Sequence, residues 1–324
     1  MSFSYAIIGT GAVGGYYGGL LAKAGFDVHF LVHSGYKLVK MNGLVVKSKN
    51  GDFHLPSIQA YRSASDMPPC DVVLICLKAM NNSVLKGMLP KLVKPDGVAI
   101  VMENGLGVED EVADSIGPDR VMGGLCLICS RKIAPGTIHH IDYGSVKFAE
   151  FTEDHSPRGI TDRMQRIADD FKKAGVSPVE LSSDLQVARW QKLVWNIPFG
   201  GLCITMNTTT QRLMQGKSSR KLAESIMHEL IDGAAALGHG FPHDFADAMM
   251  AATDAMLPYQ PSIKLDFDAG KPMELKYIFG NPLRALQKAG FKAPLLKSLY
   301  REIRYLTEAK STTILPKSIR KRRH

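Results

Sequence analysis

The sequence predicts an α/β protein: a doubly wound parallel sheet at the N-terminus, followed by an all-helical C-terminal domain. Three observations carry this. Short, wholly apolar runs alternate with helical patterns through the first half, as in a parallel sheet covered on both faces. A glycine-rich turn closes the first such run and opens a helix. From about Ser183 strand patterns stop, and apolar residues recur only at helical spacing. The expected domains are therefore 1–182 and 183–324.

In chain order, "YAIIG" at 5–9 is a buried strand, 14–24 a helix and "DVHFLV" at 27–32 the next strand. "GLVVKS" and "DFHLPSI" form a hairpin across Asn50-Gly51, a pair that favours hairpin turns. "DVVLICLK" at 71–78 is a strand, 83–92 a helix and "GVAIVM" at 97–102 a strand. Three short strands follow at 121–128, 136–141 and 146–148, then a helix at 162–174 and a closing extended run, "VSPVEL". The second half predicts helices at 185–205, 220–237, 243–256, 274–288 and 295–307.

With 324 residues, 45% hydrophobic and 22% charged, the chain has the composition of a soluble globular protein. No apolar run is long enough to cross a membrane, and the first residues lack the pattern of a signal peptide. Five sparsely spaced cysteines suit reduced thiols and a cytoplasmic location. Cys126 and Cys129 form a C-x-x-C, but within an apolar strand-like run, so buried thiols are expected there rather than zinc or redox chemistry. Much of the +9 formal charge sits in the tail "KSIRKRRH", read as a solvated end. No nucleic-acid-binding signature accompanies it. The basic balance also suits a partner rich in phosphate or carboxylate.

Gly9-Thr10-Gly11-Ala12-Val13-Gly14 is G-x-G-x-x-G in the context that motif needs, after a strand and before a helix. Gly9 permits the tight turn, Gly11 lets the backbone approach a pyrophosphate, and Gly14 lets the helix pack on the strand. The six residues are candidate contacts for a dinucleotide, in a Rossmann-type domain. An NAD site usually places an acid at the end of the second strand. Here His33 and Ser34 stand there with Lys37 and Lys40 beyond, which favours the 2′-phosphate of NADP(H) and makes His33 and Lys37 candidate contacts. Ordinary solvated loop residues are the alternative. Lys78 and Asn104 stand at the ends of the strand runs "DVVLICLK" and "GVAIVM", where ligands of open parallel sheets bind. A helix-starting lysine and an Asn-Gly turn are the simpler readings of either alone.

"ARWQKLVWN" at 188–196 sets Lys192 among apolar neighbours and both tryptophans. Pattern alone offers a plain explanation: the stem lies along apolar surface and the ammonium stays in water.

The ordered set "GTGAVG", "CLKAMN", "ENGLG", "WQKLVWN" and "PSIKLDFDAGKPMELKYIFGNPLR" resembles the ketopantoate reductase (2-dehydropantoate 2-reductase) family over nearly the full length. That resemblance implies a Rossmann domain joined to a helical domain, reduction of 2-dehydropantoate to pantoate with NADPH, and an active site in the cleft between the domains. It places Lys192 at the family's catalytic lysine and Lys78 near cofactor and substrate. Asn104 matches an asparagine at the nicotinamide. Asn196, Ser262 and Glu274 match substrate-binding residues. Two positions depart from the pattern. Gly200 stands where the family has a further asparagine, and no arginine stands near His33 for the NADP phosphate.

The chemistry implied is hydride transfer to a 2-oxo carbon, with Lys192 stabilising the developing alkoxide and donating the proton. Glu274 then orients the lysine or binds a substrate hydroxyl. Lys192, Asn196 and Gly200 share one helix face, and a glycine there is expected to widen the pocket for a bulkier 2-oxo acid. Two rival readings are a reductase of the same architecture acting on another 2-oxo or 3-oxo acid, and a non-catalytic NADP-sensing protein. The expected partner is a small 2-oxo acid, with no nucleic acid and no membrane; a homodimer is left open.

Overall fold

The structure, a computed structural model, describes residues 2–258 and 260–314, with backbone only for 311–314. The chain divides into two units, Met1–Ala188 and the residues from Arg189 on. The basic tail from Lys317 lies outside the described residues.

The first unit is built on one sheet of ten strands. In chain order these are β1 (Ser4–Ile8), β2 (Asp27–Leu31), β3 (Leu44–Ser48), β4 (Phe53–Leu55), β5 (Gln59–Tyr61), β6 (Cys70–Ile75), β7 (Val93–Val101), β8 (Val121–Ala134), β9 (Thr137–Glu150) and β10 (Val179–Ser182). The sheet order is β4-β3-β9-β8-β7-β6-β1-β2-β5, with β10 paired to β9. From β5 to β8 every neighbour is parallel. β9 then runs antiparallel to β8, and β3 and β4 form the expected antiparallel hairpin. The sheet is therefore mixed, with a parallel heart.

β1 is buried at four of its five residues, and β6 at five of six, as expected for strands covered on both faces. The helix Ala12–Lys23 packs on them through glycines: a Cβ on Gly18 would stand 2.8 Å from both Ile7 and Phe30. The helix Asp162–Lys173 begins at Thr161, whose hydroxyl accepts from the N–H of Met164. It buries Met164, Ile167, Ala168 and Phe171, one stripe at helical spacing.

Two expectations are corrected. The three short strands expected between 121 and 148 are two long ones, β8 and β9. Asp142-Tyr143-Gly144 reads as a break in the apolar pattern, but the pairing passes from Leu127↔Ser145 to Ile128↔Tyr143 and leaves Gly144 unmatched. It is a bulge within a strand, with Tyr143 at φ 58° and Gly144 at φ 118°. The helix expected at 83–92 is a 3₁₀ stretch, Ala79–Gly87, followed by a short helix, Leu89–Leu92. Pro90 has no N–H to give the carbonyl of Lys86, so the α pattern cannot run through.

The described part of the second unit contains no strand. The helix Leu185–Thr205 enters it, and Lys217–Ala236 buries Ile226, Met227, Leu230, Ile231 and Ala234 along one stripe. Short helices at Thr210–Gln215 and Ser262–Asp268 were not anticipated from the pattern. The helix expected over 274–288 is a π-helical run, Lys276–Gly280, leading into an α-helix, Asn281–Lys288. Pro282 cannot donate to the carbonyl of Ile278, so an uninterrupted α pattern is barred there too.

Candidate active site

β1 ends at Ile8 and the chain must reverse at once. Gly9 does so at φ 96°, and a Cβ there would stand 2.8 Å from the carbonyl oxygen of Cys76. Only glycine suits both that conformation and that gap. A Cβ on Gly14 would lie 2.4 Å from the Gly9 carbonyl oxygen and 2.8 Å from Ile7. Gly11 differs from both: a Cβ on it would meet nothing nearer than the Gly9 carbonyl oxygen, at 4.0 Å. The space over Gly11 is open, while the other two glycines are closed in.

The helix Ala12–Lys23 starts at Gly11 with no side-chain cap and no acid in its first turn. The N–H groups of that turn, and the positive end of the dipole, are left for an anion. These residues fit a dinucleotide pyrophosphate. Thr10 is buried and its hydroxyl donates to the carbonyl of Leu31 at 3.0 Å, so the turn is tied to the end of β2. Ala12 and Val13 are half-buried in the first turn. His33 and Lys37 are exposed beyond β2.

Lys78 and Asn104 follow the carboxyl ends of β6 and β7, which are adjacent strands. Both are half-buried. Lys78 precedes the 3₁₀ stretch, and its carbonyl accepts from the N–H of Asn81 at 2.8 Å. Asn104 precedes Gly105, which turns the chain at φ 107°. The two segments are joined by side chains that motif reading passed over. The buried amide of Asn82 donates to Glu103 at 3.0 Å and to Glu111 at 3.4 Å. Burial, with Glu103 nearby, pushes the Cys76 thiol well up, so it stays protonated.

In the second unit, the helix Leu185–Thr205 turns one face inward: Arg189, Trp190, Leu193, Val194 and Ile197 are buried. Lys192, Trp195 and Asn196 lie on its less buried face, each half-buried. Lys192 and Asn196 are one turn apart, so their side chains are neighbours. The helix is held on this side by Trp195, whose indole N–H donates to the hydroxyl of Thr253 at 3.0 Å. Trp195 also stacks at a tilt on Phe199, ring centroids 5.2 Å apart. Pro198 follows within the helix and withholds an N–H from the carbonyl of Val194.

Gly200 is buried, and a Cβ on it would meet Ile263 at 2.9 Å. Thus the helix Ser262–Asp268 lies against the lysine helix, and Ile263 takes the near edge of the room that glycine leaves. A side chain larger than glycine at 200 would therefore meet Ile263. Lys264, also buried, fastens the contact by donating to Asn207 at 3.1 Å and Asp268 at 2.5 Å. Ser262 is exposed at the start of this helix. Glu274 is 3% exposed and stands just before the π-helical run, a local irregularity often found at functional sites.

The ketopantoate reductase PanE/ApbA family model matches residues 5–153, and its C-terminal counterpart matches 184–307. The chain belongs to the ketopantoate reductase family. It is 47% identical over 302 residues to the 2-dehydropantoate 2-reductase of a Nostoc species, covering 93% of this chain and 94% of the relative. A crystal structure of 2-dehydropantoate 2-reductase from Geobacter metallireducens superposes with a TM-score of 0.89 at 38% identity, covering 93% of this chain and 99% of that one. One from Methylococcus capsulatus gives 0.85 at 33% identity, covering 97% and 99%. Membership of the ketopantoate reductases makes the chain an oxidoreductase acting on a CH–OH donor, with a Rossmann domain before a helical one. Among the described residues no helix is long and apolar enough to cross a membrane, and no group of three or more His, Cys, Asp or Glu side chains is placed to hold a metal ion.

Proposed function

We propose that this chain reduces 2-dehydropantoate to pantoate with NADPH, and that Lys192 gives the proton. The observation that carries the reading is the pairing of two features in one chain. One is an uncapped glycine turn whose central glycine faces open space. The other is a half-buried lysine one helical turn from an asparagine.

Bound NADPH supplies the hydride. The N–H groups after Gly11 hold the pyrophosphate, with Thr10 keeping the turn on β2. Lys78 and Asn104 hold the nicotinamide end and the substrate carboxylate side. In the second unit the ammonium of Lys192 donates a hydrogen bond to the 2-oxo oxygen. As charge develops on that oxygen the ammonium stabilises it, then transfers a proton. Asn196 and Ser262 bind the rest of the substrate. Glu274, a buried carboxylate, accepts from a substrate hydroxyl or orients the lysine. Five free thiols agree with a reducing, cytoplasmic setting. A homodimer remains part of the reading, and light scattering decides it.

The test is loss of NADPH absorbance with 2-dehydropantoate beside a panel of other 2-oxo and 3-oxo acids. Preference for 2-dehydropantoate supports the reading. Faster turnover of another acid reassigns the substrate, and nucleotide binding with no turnover of any acid favours a sensor.

A further inference from the structure

The sequence leaves the 2′-phosphate without the family's arginine: the loop after β2 carries His33 and Ser34 instead. The structure brings a cation there from elsewhere. The strand β8 runs past the glycine turn, and Ser130 donates to the carbonyl of Ala12, the first residue of the turn's helix, at 3.4 Å. Pairing is regular from Ser130↔His140 to Lys132↔Ile138, so Ser130 and Lys132 project from the same face of the strand. Two residues along β8 from Ser130, Lys132 reaches the loop after β2. Its Nζ donates to the Ser34 hydroxyl at 3.3 Å and the Ser34 carbonyl at 3.5 Å. The tip of the same hairpin is seated on that loop, since a Cβ on Gly35 would stand 2.5 Å from Pro135.

We propose that Lys132, together with the Ser34 hydroxyl, binds the 2′-phosphate of NADPH and so sets the preference for NADPH over NADH. The proposal rests on the NADPH reading above. The end of β2 is where the adenosine ribose of a dinucleotide lies when its pyrophosphate is on the glycine turn. Thr10 bonded to Leu31 fixes the distance between those two places. Lys132 is bracketed by both: its strand touches the turn at Ala12 and its ammonium touches Ser34. Among the described residues its hydrogen-bond partners are the two neutral oxygens of Ser34, and none of the described carboxylates pairs with it. Burial alone pulls the ammonium's pKa down, a cost that a phosphate dianion offsets. Lys37, the nearer cation in sequence, is exposed on the helix Tyr36–Asn42 and makes no hydrogen bond or ion pair with the described residues.

The experiment is calorimetric binding of NADPH, NADH, 2′,5′-ADP and 5′-ADP to the full chain and to Lys132→Gln, Lys132→Arg and Lys37→Gln. Lys132→Gln is expected to weaken NADPH and 2′,5′-ADP about ten- to a hundredfold, the scale of one charge-assisted hydrogen bond, and to leave NADH and 5′-ADP within about twofold. Unchanged NADH affinity is also the check that the variant is folded. Lys132→Arg keeps most of the discrimination, because a guanidinium also pairs with phosphate. Lys37→Gln has the smaller effect. If Lys132→Gln discriminates between NADPH and NADH as well as the parent does, the assignment to Lys132 is overturned while the NADPH reading stands. If the parent chain itself does not prefer NADPH, both fall.

Discussion

Ile263 stands at the edge of Gly200: its Cγ2 lies 2.9 Å from where a Cβ on that glycine would be. The helix Ser262–Asp268 therefore approaches the lysine helix at Gly200. Gly200→Asn is expected to cost about 1–3 kcal/mol by overpacking, despite the better helix propensity of asparagine. Ile263→Ala alone costs about 2–5 kcal/mol as a cavity. Combined, the two should cost clearly less than their sum, because each relieves the other. Denaturant melts of the four proteins give the coupling; strict additivity would show that the contact is not strained.

Lys192→Ala should leave nucleotide affinity nearly unchanged, since the glycine turn belongs to the other unit. It should lower kcat about 10²–10⁴-fold, the usual share of a positioned acid. Lys192→Arg should also be poor, because guanidinium holds its proton. Steady-state kinetics with a thermal melt would decide. A kcat close to that of the parent for Lys192→Ala would return this lysine to the role of a solvated helix residue.

Two glycines of one motif should fail in different ways. Gly11→Ala adds a methyl where 4.0 Å of clearance exists, so the protein should melt normally. That methyl occupies the approach of the pyrophosphate, so NADPH binding should weaken about tenfold or more. Gly14→Ala places a methyl 2.4 Å from the Gly9 carbonyl oxygen and should destabilise the first unit by about 1–3 kcal/mol or more. Equal melting temperatures for both variants would contradict the packing described.

His140 predicts a pH dependence of stability. It is buried, with Nδ1 2.8 Å from the Ser48 hydroxyl and Nε2 2.8 Å from the Tyr143 carbonyl oxygen. A carbonyl can only accept, so Nε2 carries the proton and Nδ1 accepts from Ser48. Burial holds its pKa in the folded chain below the usual histidine value. The unfolded chain takes up the proton near about pH 6.5, before the folded chain does. Stability from this residue is thus present above that pH and declines as pH falls through it. Comparing the melts of the parent and His140→Leu between about pH 5 and 8 isolates the contribution. Parallel profiles would show that His140 does not titrate with folding.

The glycine turn, the parallel heart of the sheet and the helical second half were all legible in the sequence. Each is announced locally: a motif at a strand end, short apolar runs, a helical period. Composition and period could not reveal what depends on contacts distant in sequence. The bulge at Gly144 merges two expected strands because β8 supplies a partner on both sides of it. The proline-interrupted segments at 79–92 and 274–288 become 3₁₀ and π turns, since one missing N–H alters how neighbouring carbonyls are satisfied. What stands beside Gly200 is Ile263, 63 positions along the chain in another helix. The cation beside Ser34 comes from Lys132, 98 residues away. Side-chain reach and packing act through space, so only the folded chain decides which residues share a site.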